Sequence, residues 1–83
     1  MDIRIINLSH NINDRSLSKV FSAFGIVDSA EVLKNKINGR SRGNALVMMP
    51  VEAEARLAIL SLNQTMLDGK KISVSQFIAD PQW

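Results

Sequence analysis

The sequence predicts an α+β domain in which two helices cover one face of a four-stranded antiparallel sheet, in chain order β-α-β-β-α-β. Strand-like stretches carry alternating or β-rich apolar residues, and two stretches between them carry apolar residues at helical spacing. Turn residues fall at the junctions. With 83 residues the chain is one domain, placed at 1–78 with a short tail over 79–83.

The elements follow in order. "IRIINL" (3–8) is β-rich and apolar and reads as the first strand, followed by a loop over 9–13. Asn13 suits the N-cap of a helix that places Leu17, Val20, Phe21 and Phe24 on one face and stops at Gly25. "IVDSAEVLK" (26–34) alternates as a second strand, and Asn38-Gly39 signals a turn. "GNALVMM" (43–49) is a third strand ended by Pro50. A second helix over 51–63 sets Ala55, Ala58, Ile59 and Leu62 on one face, with Glu52 and Glu54 near its positive end. A turn at Asp68-Gly69 leads into a last strand around 71–76. This is the ferredoxin-like split βαβ order, which leaves the sheet face away from the helices open.

Composition narrows function mainly by exclusion. A domain this small buries only about 60–65% of the surface its unfolded chain exposes. There is no cysteine, hence no disulfide, thiolate metal site or thiol nucleophile. No apolar run approaches the roughly 18 residues of a membrane span. The start "MDIRIINL" alternates like a strand and lacks the pattern of a signal peptide, so a soluble, cytoplasmic protein is expected. Ten basic against eight acidic residues leave a net charge of +2, too little to imply nucleic acid on its own. The basic residues cluster, however. Lys34, Lys36, Arg40 and Arg42 sit in "KNKINGRSR" without an intervening acid, and Lys70 and Lys71 form a second pair. A solvated loop and a phosphate-contacting loop explain that cluster equally well.

Catalysis and metal binding are not expected. The loop "SHNIND" has no glycine with which to cradle an anion, and Arg15 falls inside the helix. His10 is the sole histidine and has no ligand partner at metal spacing. Ser9, His10 and Asp14 show no base-and-orienter arrangement that would activate a nucleophile. No cofactor is implied.

Two motifs carry a family resemblance. Arg42-Gly43-Asn44-Ala45-Leu46-Val47-Met48-Met49 follows the octapeptide frame basic-Gly-aromatic-small-aromatic-Val-any-aromatic, and Ile3-Arg4-Ile5-Ile6-Asn7-Leu8 follows the matching hexapeptide. With the supporting positions Leu17, Phe21, Gly25, Ala55, Ala58, Leu67, Asp68 and Gly69, the chain resembles the RNA recognition motif from Ile3 to about Gln76. The resemblance implies single-stranded RNA as partner, read by the open sheet face. It also exposes departures, because the family's stacking rings belong at Arg4, Asn44 and Leu46. The ring at Met49 normally points into the core, where methionine can replace it. Only three phenylalanines and one tryptophan are present, and Phe21 and Phe24 are at core spacing. Any ring that stacks on a base is therefore Phe77 or Trp83.

Strand parity then predicts two faces. Ile3, Ile5, Ala45, Val47, Ile72 and Val74 turn to the helices. Arg4, Ile6, Glu31, Leu33, Arg42, Asn44, Leu46, Met48, Lys71, Ser73 and Ser75 turn to the open side. On the RNA reading, Arg4, Asn44, Leu46 and Arg42 contact RNA from the sheet while Lys34, Lys36, Arg40 and Lys71 contact phosphates. Stacking is worth about 1–3 kcal/mol per base, so losing two platforms forfeits roughly 2–6 kcal/mol. Binding is expected to be weak, salt-sensitive and poorly selective. The alternative is a protein-interaction module, including a sheet-to-sheet homodimer, using Ile6, Leu33, Leu46 and Met48 as an apolar patch within a polar rim.

Overall fold

The computed structural model describes residues 1–34, 37 and 41–78, with Ser41 and Arg42 described by their backbone alone. The expected Asn38-Gly39 turn and the 79–83 tail lie outside the described residues. Chain order is β1 (Asp2–Ile6), α1 (Asp14–Ser22), β2 (Ser29–Lys34), β3 (Ser41–Met48), α2 (Glu52–Leu62), β4 (Met66–Leu67), β5 (Lys70–Lys71) and β6 (Ser73–Gln76). β2, β3, β1 and β6 form one sheet in that spatial order, and β4 with β5 forms a separate two-stranded hairpin. Every pairing is antiparallel. This is the ferredoxin-like α+β architecture that the element order predicted.

The core lies between the sheet and both helices. Ile3 and Ile5 of β1, Val32 of β2, Ala45 and Val47 of β3, and Ile72 and Val74 around β6 are buried with Leu17 and Phe21 of α1 and Ala55 and Ala58 of α2. Period-two burial along the strands is the physical cause of the open second face, since every inward side chain sends its neighbours outward. Met49 is fully buried and fills the core position where an aromatic ring was the alternative. Phe24 is only partly buried, at the edge of this core.

Local chemistry explains the element boundaries. Asn13 caps α1, its side-chain oxygen accepting from the Ser16 amide at 2.8 Å. β2 starts at Ser29, later than the apolar alternation from 26 suggests. The Glu54 carboxylate draws this stretch toward α2, accepting from the Ile26 amide at 3.0 Å. Asp14 in the first turn of α1 reaches across to the Val32 amide at 2.8 Å and so ties the helix to the outer strand β2.

The expected last strand over 71–76 is divided, which corrects the position of Lys71. β1 ends at Ile6, and Asn7 takes a left-handed conformation (φ 64°) while its Nδ2 donates to the Lys71 carbonyl at 2.8 Å. No sheet strand therefore stands opposite Lys71, which pairs with Met66 in the hairpin instead. Asp68 (φ 52°) and Gly69 (φ 82°) both take positive φ between Leu67 and Lys70, the two-residue turn that suits the twist of antiparallel strands.

Candidate nucleic-acid interface

The open face is organised in rows set by the register. Glu31, Leu46, Arg4 and Ser75 stand side by side across β2, β3, β1 and β6. In the next row Asn44 faces Ile6, which faces Ser73. On the other side Ser29 faces Met48, which faces Asp2. Arg4, Glu31, Met48 and Ser75 are exposed, and Ile6, Leu33, Asn44, Leu46 and Ser73 are partly buried. The parity expected from the sequence holds for each of these. Lys71 is exposed too, but on the hairpin beside the sheet.

At the centre of this face lies a cleft of about 220 Å³, walled by Arg4, Leu33, Asn44, Leu46 and Phe77. Its floor is apolar and its rim carries a guanidinium and a carboxamide. Among the described residues, neither the Arg4 guanidinium nor the Asn44 carboxamide has a protein hydrogen-bond partner. An arginine presents five donors and an asparagine amide both donors and an acceptor, so the cleft offers unspent polar capacity over an apolar base.

The expected apolar patch is interleaved with these polar groups. Leu33 and Leu46 line the cleft, whereas Ile6 and Met48 stand in the rows on either side of Leu46. Met48 is 44% exposed; Leu60 of α2 and Met66 of β4, away from this face, are more exposed at 80% and 66%.

Among the described side chains in the central rows of the open face, one cation, Arg4, stands against two anions, Glu31 and Asp2. Cationic attraction for a backbone must therefore come from the periphery. Lys34 ends β2 with an exposed side chain. Lys36, Arg40 and the Arg42 side chain, the remainder of the expected phosphate-contacting set, lie outside the described residues. β2 and β3 shift register between Val32 and Lys34, next to Gly43 (φ 79°), so this end of the pair is irregular where the basic loop departs.

Phe77 is the functional candidate that the two sequence motifs did not include. Its amide donates to the Asp2 carbonyl at 2.8 Å, extending the β1–β6 ladder one residue beyond β6. Ser73 and Ser75 face the open side, and Phe77 shares their parity. The alternation over 73–77 was the available signal, but the register against β1 was needed to use it.

A four-stranded sheet of this order, with octapeptide and hexapeptide frames on its two central strands, is matched by the family model of the RNA recognition motif over residues 3–73. The chain belongs to the RNA recognition motif family. Curated relatives of this RNA recognition motif include "Glycine-rich RNA-binding protein 1" of Mycosarcoma maydis, 41% identical over 75 residues, covering 90% of this chain and 43% of that protein. Another is the chloroplastic "28 kDa ribonucleoprotein" of Nicotiana sylvestris, 42% identical over 73 residues, covering 88% of this chain and 26% of that protein. The chain thus spans less than half the length of either. Among solved structures, the crystal structure of RNA Binding Protein PG1 superposes with a TM-score of 0.92 at 33% identity, covering 99% of both chains. A Sxl-lethal protein–RNA complex superposes with a TM-score of 0.90 at 25% identity, covering 98% of this chain and 48% of that one.

Proposed function

We propose that this RNA recognition motif is a non-catalytic module that binds single-stranded RNA across the open face of its sheet. The observation that carries the reading is the central cleft, where the unpartnered polar groups of Arg4 and Asn44 border the apolar surface of Leu33 and Leu46. Relatives described as RNA-binding proteins and ribonucleoproteins support it. Arg4 and Asn44 contact bases, a guanidinium plane being able to stack where a ring is missing. Lys34, Lys36, Arg40, Arg42 and Lys71 contact phosphates. With the family's usual stacking positions occupied by Arg4, Asn44 and Leu46, affinity is weak and depends strongly on salt.

Fluorescence anisotropy with short single-stranded RNA at low and moderate salt tests the proposal. Binding is expected at low salt and weakens as salt rises. Absence of binding near about 0.1 mM protein at low salt removes RNA as the main ligand. The competing use of the face is self-association through Ile6, Leu33, Leu46 and Met48. Sedimentation of wild type and Leu46→Asp separates the two: a wild-type dimer abolished by the aspartate assigns the face to protein, and a monomer in both leaves it to RNA.

A further inference from the structure

We infer that Phe77 supplies a base-stacking platform that the two sequence motifs lack, and that the cleft it closes takes one unpaired nucleobase. The inference rests on the RNA-binding reading above and adds to it a ring at a position outside both motifs.

Three observations converge on it. The register places Phe77 on the open face beside the row that holds Arg4, anchored through its backbone to Asp2. The ring is partly buried and shares the wall of the cleft with Arg4, Leu33, Asn44 and Leu46. Phe21 belongs to the buried core and Phe24 packs against it on the helical side, so among the described residues Phe77 is the ring available to the open face.

The size and chemistry of the cleft suit one base. Its volume of about 220 Å³ accommodates a single flat ring system. Phe77 offers that ring a π-face, Leu33 and Leu46 an apolar floor, and Arg4 a second plane. Asn44 lies within the same wall and presents a donor and an acceptor side by side. Every nucleobase has such a pair on its pairing edge, and an amide matches either order by turning over. The slot therefore holds any of the four bases with similar strength, since stacking is tolerant of sequence.

The experiment uses the full chain and a short single-stranded RNA carrying 2-aminopurine, whose fluorescence is quenched when it stacks. Wild type is expected to bind and quench. Phe77→Ala and Phe77→Leu are expected to weaken binding roughly 5- to 150-fold, the value of one base on one ring, and to lose the quench. Phe77→Tyr keeps both. Phe77→Leu preserves apolar bulk after β6, so the comparison stands even if the alanine variant loses its fold. Thermal unfolding of each variant separates lost stacking from lost structure. If wild type binds while Phe77→Leu binds and quenches equally, the stacking role is overturned and RNA binding survives. If wild type binds no RNA, both fall.

Discussion

The Ser9 hydroxyl donates to the Asp68 carboxylate at 2.6 Å, joining positions 59 residues apart in the chain. Ser9 is nearly buried, and its oxygen also accepts from the Asn11 amide at 3.2 Å, so one side chain orders the β1–α1 loop and pins it to the β4–β5 turn. The neighbouring Asn7 makes the parallel link to Lys71. Together they fix the hairpin that carries Lys70 and Lys71 beside the sheet. Ser9→Ala leaves the Asn11 amide and Asp68 without this partner, and is expected to cost about 1–2 kcal/mol in urea unfolding. A phosphate-contacting role for the hairpin makes a second readout informative, because loosening it also lowers RNA affinity.

Gly43 combines a left-handed backbone with a structural bond, its carbonyl accepting from the Leu8 amide at 2.9 Å. A β-carbon there meets the Leu8 carbonyl at 3.5 Å, an ordinary contact, so space is not the obstacle. The backbone is. Gly43→Ala is expected to destabilise the domain by about 1–2 kcal/mol through its positive φ alone. An unchanged midpoint in denaturant would show that the irregular end of the β2–β3 pair relaxes freely.

Met49 occupies the core position where the motif allows a ring. Met49→Ala removes a fully buried side chain and is expected to cost about 2–5 kcal/mol, whereas Met49→Leu conserves volume and stays under about 1.5 kcal/mol. Equilibrium unfolding distinguishes this packing role from a direct contribution to the ligand surface, which Met49→Leu would betray as an RNA defect at unchanged stability.

On the RNA-binding proposal, charge at the periphery is expected to set the salt dependence. A single-stranded ligand loses affinity with a slope of about −0.7 in log–log form for each phosphate neutralised, so Lys34→Ala is expected to flatten the slope by about that amount. Glu31 stands opposite Leu46, in the row that also holds Arg4, where a passing phosphate meets a negative charge. Glu31→Lys is expected to tighten binding and steepen the slope by a similar step. Anisotropy titrations at several salt concentrations measure both. A Lys34→Ala slope identical to wild type would place the backbone away from the end of β2.

Much of this protein was legible without coordinates, because its physics is local. Period-two burial identified Ile3, Ile5, Ala45 and Val47 as inward and Arg4, Asn44 and Leu46 as outward, and two alternating strands cannot satisfy a core in any other way. The Asn13 cap and the Asp68-Gly69 turn are readable for the same reason, since each is a few residues deciding their own backbone. The place of Lys71 on the hairpin was not readable, and Phe77 could be named only as one of two candidate rings beside Trp83, because their positions depend on partners some 64 and 75 residues away in sequence, Asn7 and Asp2. Residue types and spacing by themselves determined the fold and the two-faced sheet. Only the tertiary structure decided where the last strand divides and which ring reaches the open face, since both follow from where β1 stops and from long-range hydrogen bonds that no local pattern encodes.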